Sequence, residues 1–458
     1  MNMTLQVHSP YDGALVAELD LDSGAVLEEK LGRAQKAQTD WRRVPVAERV
    51  ERVALAMEWF RDHADEVARD VTLQMGKPLA QSTGEVRGVL ERAQFTLDVA
   101  PDVLAPEILP AKEGFRRRIE HTPLGLVLDI AAWNYPLLIP TNVIFPALLA
   151  GNAVLLKHSA RTPLCGQHFE RAFEAAGMGS LVTHLLLDHA GTTALMGDAR
   201  VGHVAFTGSV DAGRRIHRAV AERFIDVGLE LGGNDPAYVA ADADLEATVA
   251  GVVDGACYNA GQSCCAVERV YVHADVYDEF VDRARVLMEA YRTGDPLDPA
   301  TTLGPLADAG SLEGLAHQIE EACGRGASVV TGGGAVDGRF FEATLLAGCP
   351  NECEVMQEES FGPLLPVLRV ESDDEALAHV NDTHFGLTAS IWTADPERAE
   401  WFAAGHDAGT LFQNRCDYLD PALPWTGMRD SGKGSTLSHH GFHHLTRRKA
   451  IHFRDAPG

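Results

Sequence analysis

The most constraining feature of this 458-residue chain is a stretch without any charged residue, from Ile130 to Leu156. It is long enough to cross a membrane as a helix, but it contains three prolines and three asparagines. In lipid these residues would leave broken backbone and unpaired amides. We therefore predict that the stretch is buried protein core. The chain is long enough to surround such a core with two or three domains.

The charge balance disfavours polyanionic partners. The chain has 39 Lys and Arg against 66 Asp and Glu, a formal net charge of −27, which repels nucleic-acid backbones and anionic membrane surfaces. The eight cysteines show no repeated C-x-x-C pairing, and the N-terminus has no signal-peptide pattern. We expect a cytoplasmic protein that needs no disulfide scaffold and no metal, and that binds neither nucleic acid nor membrane.

Apolar runs alternate with helical patterns from about residue 125 onward. Repeated β-α units with continuous apolar strands predict a parallel sheet that helices cover on both faces, with ligands at the carboxyl ends of the strands. Amphipathic helical patterns precede this region, and a second α/β region follows from residue 232. The predicted strands are 125–132, 152–156, 181–187, 203–206 and 226–231, and the helices between them are 138–150, 163–176, 191–198 and 209–220.

Three side chains fall where such a sheet would form an active site. Glu230 ends an apolar strand, Asn134 follows the strand 125–132, and Cys264 lies in a loop after an apolar helix. Taken singly, a loop cysteine such as Cys264 is more often a small hydrophobic residue, and a lone glutamate such as Glu230 is more often an exposed charge at a strand end. Asn134 is either a structural hydrogen-bonding residue or a donor to an oxyanion.

A glycine-containing turn at 206–213 is a candidate phosphate site. Ser209 is the predicted N-cap of the following helix, whose free N–H groups suit a phosphate. Arg214 and Arg215 stand where a P-loop requires Lys followed by Ser or Thr, so a nucleoside triphosphate motif is excluded. Lys157, which follows the strand 152–156, is interpreted either as a cleft residue or as an ordinary surface lysine.

Taken together, seven motifs in order resemble the aldehyde dehydrogenase superfamily over nearly the whole chain. The 34 positions that separate Glu230 from Cys264 also match the family's spacing between base and nucleophile. The motifs are Trp133-Asn-Tyr-Pro136, Gly151-Asn-Ala-Val-Leu-Leu-Lys157, Phe206-Thr-Gly-Ser209, Leu229-Glu-Leu-Gly-Gly233, Gly261-Gln-Ser-Cys264, Gln357-Glu-Glu-Ser-Phe-Gly-Pro363 and Asn381-Asp-Thr-His-Phe-Gly-Leu387.

The resemblance implies an α/β fold with three parts. These are a Rossmann-like parallel-sheet cofactor domain, a second α/β catalytic domain and a small β oligomerisation element, in a homodimer or homotetramer. The segments 115–119 and 445–453 would form intersubunit strands. The implied bounds are 1–104 and 123–231 for the dinucleotide-binding domain, 232–436 for the catalytic domain, and 105–122 with 437–458 for the oligomerisation element.

The resemblance also implies a reaction, the oxidation of an aldehyde to the carboxylic acid with NAD(P)⁺. Cys264 would form a thiohemiacetal and then a thioester, Asn134 would hold the oxyanion, and Glu230 would activate the water that hydrolyses the thioester. Cofactor contacts are implied for Trp133, Lys157, Ala160, Arg161, Gly208, Ser209, Leu231, Glu359 and Phe361, and the expected substrate pocket is Tyr135, Leu138, Ser263, Cys265, Arg415 and Trp425.

One departure from the family pattern and one residue of the expected pocket bear on specificity. Many NAD-dependent members carry a glutamate three residues after the lysine, where this chain has Ala160 followed by Arg161. We therefore expect NADP⁺ to be favoured over NAD⁺. In the expected pocket, Arg415 would pair a carboxylate and so select a semialdehyde, unless the neighbouring Asp417 and Asp420 neutralise it instead.

Three alternatives remain at this point. A cysteine hydrolase would use Cys264 and Glu230 without a cofactor, although Lys157, Ser209 and Glu359 argue against it. A CoA-acylating dehydrogenase would lack the glutamate base, which is present here. A non-catalytic protein on the same fold is the third, because fold does not determine function.

Overall fold

Two large, mainly parallel sheets organise the computed structural model, which describes residues 4–455. The first sheet has six strands, and all of them run parallel except Gly432–Lys433, which is antiparallel to its neighbour. In spatial order the strands are Gly432–Lys433, Asp226–Glu230, Val201–Thr207, Leu126–Ala131, Ala153–His158 and Val182–His184.

The helices of this region follow the predicted alternation. They are Leu138–Leu149, Pro163–Ala175, His189–Met196 and Val210–Val220. The third helix begins two residues before its predicted start, because the Asp188 side chain caps it by accepting from the Gly191 N–H at 2.7 Å. The strand predicted at 181–187 is shorter in the structure, because it pairs with its neighbour only over Val182–His184.

The second sheet has seven strands, parallel except for Ser328–Thr331 at one edge. In spatial order they are Ser328–Thr331, Thr344–Ala347, Leu364–Val370, Val267–His273, Asp235–Val239, Thr388–Trp392 and Thr410–Gln413. Its helices are Leu245–Cys257, Tyr277–Glu289, Ser311–Gly324, Glu354–Gln357, Asp373–Asn381 and Pro396–Gly405. The predicted α/β fold class is confirmed by these two sheets and their helices.

A third sheet is small and antiparallel. The long strands Phe115–Pro123 and Thr446–Arg454 pair with each other over their whole length, and Glu107–Ile108 adds a short edge. The two segments predicted as intersubunit strands therefore pair within one chain. Hairpins form between Thr4–His8 and Leu15–Asp20, and between Ala335–Val336 and Phe340–Phe341.

Four helices precede the first sheet, namely Gly24–Trp41, Val46–Asp62, Ala64–Met75 and Leu79–Val103. Apolar residues on their inner faces, including Val53, Phe60 and Val89, join the same core as the strands of the first sheet. They form the predicted amphipathic layer.

The uncharged stretch lies in this core. It spans the end of strand Leu126–Ala131, the helix Leu138–Leu149 and most of strand Ala153–His158. Eleven residues of the helix are buried, so it is apolar on all sides because protein surrounds it. Across residues 4–455, helices that combine the length and the apolar character needed for membrane crossing are absent.

Candidate active site

The loop that carries Cys264 is held in a fixed shape by its own amides. It follows the helix Leu245–Cys257 through a 3₁₀ turn, in which Asn259, Ala260 and Gly261 all have positive φ. The Asn259 amide donates to the Gln262 carbonyl at 3.0 Å, and the Gln262 amide donates to the Asn259 carbonyl at 3.0 Å. This strained backbone persists because side chains on both sides determine it.

Glycine is required at position 261. A Cβ there would lie 2.1 Å from the carbonyl oxygen of Gly362, and its φ is +72°. The neighbouring strand end also approaches closely, since a Cβ on Gly233 would lie 2.3 Å from the Cys264 carbonyl oxygen. The position of Cys264 therefore depends on close backbone contact on two sides.

The adjacent cysteines differ in environment. Cys264 is partly exposed and lines a cavity of about 630 Å³. Cys265 is buried, and its thiol donates to the Asp417 carboxylate at 2.9 Å, while Ser263 contacts the same carboxylate at 3.4 Å. The Cys264 contact and burial raise the pKa of Cys265, and burial raises that of Asp417 to about 7. Cys265 is thus held as a thiol.

Asn134 is tied to both the Cys264 loop and the N-terminal helices. Its carbonyl oxygen accepts from the Lys77 ammonium at 2.9 Å and from the Asn259 amide at 3.1 Å. Its side-chain amide makes no hydrogen bond to any other described residue, although only 4% of the residue is exposed. A buried amide with free donors, held by its own backbone, is suited to an oxyanion.

A buried ion pair supports this arrangement from behind. Lys77 and Glu85 lie 2.6 Å apart, with 1% and 2% of their side chains exposed. Glu85 also accepts from the backbone N–H groups of Leu137 at 2.8 Å and Leu138 at 3.3 Å. The pair therefore holds this loop at Asn134 itself and at its end beside Leu137.

Glu230 lines the same cavity as Cys264. Its carboxylate accepts hydrogen bonds from the hydroxyl of Thr436 and, at 3.4 Å, from that of Thr207. Burial raises the pKa of Glu230, while the Thr436 hydrogen bond acts in the opposite direction. A raised carboxyl pKa beside a candidate nucleophile is the property expected of a general base.

Other predicted pocket residues also line this cavity, namely Tyr135, Leu138, Cys265, Arg415 and Trp425. Ser263 is not among the lining residues, because its side chain is buried behind them. Arg415 is exposed, and its guanidinium lies 3.5 Å from the centre of the Tyr418 ring.

The predicted cofactor residues at the carboxyl edge of the first sheet include a buried cation. Lys157 is 9% exposed and has no hydrogen bond or ion pair among residues 4–455; burial lowers its pKa. The Ser209 hydroxyl accepts from the Ala212 N–H at 3.4 Å, so the predicted N-cap is present. The Gly208 N–H donates to the Glu230 carbonyl at 3.0 Å.

Arg161 is engaged with protein groups. Its guanidinium donates to the Ala307 carbonyl, forms an ion pair with Asp308 at 3.1 Å, and lies 5.3 Å from the Trp133 ring centre. Trp133 in turn makes an edge contact with Phe361, with 5.6 Å between ring centres. Ala160 beside it is exposed.

Two glutamates, Glu268 and Glu359, interact beside the second sheet. Glu268 accepts from the backbone N–H groups of Ser360 at 2.9 Å and Phe361 at 2.8 Å, and burial raises its pKa to about 7. Glu359 accepts from the Gly233 N–H at 3.1 Å. Its pKa is raised mainly by burial and then by Glu268. Glu268 thereby fixes the loop that presents Glu359 and Phe361.

The sequence alone did not single out Lys77, Glu85, Glu268 or Thr436, nor the buried Arg92 of the cavity wall, nor Asp417 as an acid with a raised pKa. One signal was available for two of them. Glu85 and Arg92 are seven positions apart on the helix Leu79–Val103, on the same face as the buried Val89. Charged residues on an apolar helix face indicate a buried polar network.

Comparison with known proteins identifies the family. The model of the aldehyde dehydrogenase family matches residues 2–451. Succinate-semialdehyde dehydrogenase [NADP(+)] from Deinococcus radiodurans is 34% identical, over 97% of this chain and 93% of that protein. The 3,6-anhydro-alpha-L-galactose dehydrogenase of Streptomyces coelicolor is 34% identical, over 99% and 94%.

A solved structure agrees. Succinic semialdehyde dehydrogenase from Streptococcus pyogenes, in complex with NADP⁺, superposes with a TM-score of 0.94 at 30% identity, over 98% of this chain and 100% of that one. The predicted resemblance is thereby confirmed. The chain belongs to the aldehyde dehydrogenase family.

Proposed function

We propose that this protein oxidises an aldehyde that bears a carboxylate, a semialdehyde, to the corresponding acid with NADP⁺. The observation that carries the proposal is one cavity that Cys264 and Glu230 line together with Tyr135, the residue that follows the buried Asn134. Relatives named succinate-semialdehyde dehydrogenase [NADP(+)] support the substrate class and the cofactor. A cofactor-independent hydrolase is not favoured by family membership.

The chain's own residues carry the addition step. The Cys264 thiolate sulfur forms a bond to the aldehyde carbon, the carbonyl π bond breaks, and the carbonyl oxygen becomes an oxyanion. The Asn134 side chain and the Cys264 N–H donate to that oxyanion, each donor contributing about 3–4 kcal/mol. Asn134 is effective because Lys77 and Asn259 already hold its backbone.

The protein groups also fit a dinucleotide. Lys157 offers a buried ammonium that has no partner among residues 4–455, the helix after Ser209 offers N–H groups, and Glu359 offers a carboxylate to a ribose. A bound NADP⁺ would be the oxidant: it would accept the hydride that the thiohemiacetal carbon loses when the thioester forms on Cys264. NADP⁺ differs from NAD⁺ by a 2′-phosphate. To contact this phosphate, Arg161 would have to give up its ion pair with Asp308.

Glu230 completes the reaction. Its carboxylate takes a proton from a water molecule, whose oxygen attacks the thioester carbon. The bond to sulfur breaks, Cys264 leaves as a thiolate and the acid is released. The base must be ionised for this step, so the Thr436 hydrogen bond, which favours the carboxylate, assists it.

Turnover measured with succinic semialdehyde, butanal and both cofactors tests the proposal. We expect reduced nicotinamide to form with an aldehyde and with NADP⁺ in preference to NAD⁺, and Cys264→Ser to abolish it. Cys323→Ser is the matched control, because Cys323 is exposed on the helix Ser311–Gly324. Wild-type rates in Cys264→Ser, or absence of reduced nicotinamide with every aldehyde, would contradict the proposal.

We also propose the predicted domain division and a homo-oligomer. The first sheet supports the dinucleotide-binding domain, with one strand, Gly432–Lys433, contributed by the segment assigned to the catalytic domain. The third sheet supports the oligomerisation element, since it exposes the apolar side chains of Ile108 and Phe453. Light scattering of the purified protein distinguishes a dimer or tetramer from a monomer, which would contradict this proposal.

A further inference from the structure

Arg92 places a buried cation in the cavity wall. It lies on the helix Leu79–Val103, is 8% exposed and lines the cavity together with Glu230 and Cys264. Its guanidinium donates to the Asn142 side-chain oxygen at 3.0 Å, which is its one side-chain hydrogen bond among residues 4–455. No carboxylate of this part of the chain lies within 4.0 Å of it. A buried charge without a counter-ion is costly unless something pairs with it.

Most acidic groups of the cavity wall already have hydrogen-bond partners, whereas among residues 4–455 the side chains of the exposed Asp254 and Arg87 have none. Glu85 pairs with Lys77, Asp417 accepts from Cys265, and Glu91 accepts from the Tyr418 hydroxyl at 3.1 Å. Burial lowers the pKa of Arg92, and the Glu230 and Glu85 carboxyls oppose this without touching it. Arg92 is therefore a cation whose remaining donors find no acceptor within the described residues 4–455.

Arg415, the cation expected from the sequence, is in a different environment. It is exposed and packed on the Tyr418 ring, so an ion pair with a substrate there would be screened by solvent. Arg92 has most of its surface inside protein, where a charged hydrogen bond is stronger, and a guanidinium holds a carboxylate through two parallel N–H groups. Asn142 fixes one side of that group and orients the rest.

We propose that Arg92 binds the carboxylate of the substrate inside the cavity. Arg92, rather than Arg415, thereby makes the enzyme selective for semialdehydes over neutral aldehydes. This rests on the proposed aldehyde oxidation, whose substrate class it explains. Arg92 acts in binding, and Cys264 and Glu230 perform the bond changes.

Paired substrates of equal chain length test the proposal. The readout is the ratio of kcat/KM for succinic semialdehyde to kcat/KM for butanal. We expect Arg92→Leu to lower this ratio by about 30-fold or more, through KM, because a buried charged partner is lost. Arg92→Lys should restore part of it. Arg87→Leu is the matched control, since Arg87 is an exposed cation on the same helix and the same cavity wall.

A binding measurement separates this proposal from the reaction itself. Succinate does not react, so its calorimetric affinity for wild type, Arg92→Leu and Arg415→Leu is independent of turnover. Weaker binding in Arg92→Leu alone supports the proposal, even if the chemistry assigned to Cys264 fails. Equal binding in wild type and Arg92→Leu, an unchanged substrate ratio, or a loss confined to Arg415→Leu would overturn it. Thermal unfolding of each variant establishes that the fold is retained.

Discussion

Two parts of the cavity lining are held by different kinds of contact. The inner wall is the buried part around Glu85, and the mouth is the more exposed part around Arg415 and Tyr418. Behind the inner wall, Lys77 and Glu85 form a buried ion pair, and both also bond to the backbone of the loop that carries Asn134. At the mouth, Arg415 stacks on Tyr418, whose hydroxyl bonds to an exposed glutamate. Desolvated contacts therefore position the reacting groups, whereas the mouth can change at little energetic cost.

The largest effect is expected from removing one member of the inner pair. Lys77→Met would leave Glu85 buried without its cation, at a cost of about 3–5 kcal/mol. Denaturant unfolding measures this cost, and kcat should fall as well because the Asn134 loop loses a donor. The double variant Lys77→Met/Glu85→Gln should be more stable than the single one. A Lys77→Met variant as stable as wild type would contradict the role of this buried ion pair in stabilising the inner wall.

The Cys264 loop gives the next largest effect. Gly261→Ala would force a side chain into a left-handed backbone and against the Gly362 carbonyl. We expect kcat to fall about 100-fold, because displacing a nucleophile by about 1 Å is enough for such a loss. Gly314→Ala is the control, since a Cβ there meets nothing within 4 Å. Equal kcat values for the two variants would contradict the required close approach.

The pH dependence of hydrolysis tests whether Glu230, on the inner wall, acts as the base. Glu230 must be ionised to act as base, so kcat should fall as the pH drops through its raised pKa. Thr436→Val removes a hydrogen bond that favours the ionised form, which raises the pKa further and moves the acid limb to higher pH. Thr436→Ser keeps a hydroxyl and should leave the limb near its wild-type position. A limb that moves to lower pH in Thr436→Val would show that the sign is wrong.

The smallest effect is expected at the mouth. Tyr418→Phe keeps the ring on which Arg415 stacks and removes only the exposed hydrogen bond to Glu91. Such a bond contributes about 1 kcal/mol or less, which corresponds to at most about fivefold in KM. Steady-state kinetics with one aldehyde measure it. A loss as large as that of Gly261→Ala would mean that the mouth is as tightly constrained as the inner wall.

The fold was largely predictable because its signal is local. Apolar runs such as 125–132 and 226–231 correspond to strands Leu126–Ala131 and Asp226–Glu230, since a parallel strand covered on both faces must be continuously apolar. Charge-free sequence at Ile130–Leu156 likewise predicted burial, which the structure confirms.

The support of the site was not predictable in the same way. Lys77 contacts Asn134 across 57 positions, and Glu268 contacts Phe361 across 93. The position of Glu85 on an apolar helix face indicates burial, but its partners Lys77 and the Leu137 N–H became visible only with the packing of the helices. The roles of Cys264 and Glu230 came from the order of family motifs, and they stay predictions until they are measured.

Mass spectrometry of Glu230→Gln, after mixing with NADP⁺ and succinic semialdehyde, tests most directly whether Cys264 is the nucleophile and Glu230 the base. Without its base the variant should accumulate the thioester, so fragmentation should locate the acyl group on Cys264. One equivalent of reduced nicotinamide should form rapidly in the same sample. An acyl group on Cys265, or full turnover without any adduct, would contradict the assignment of Cys264 as nucleophile and Glu230 as base.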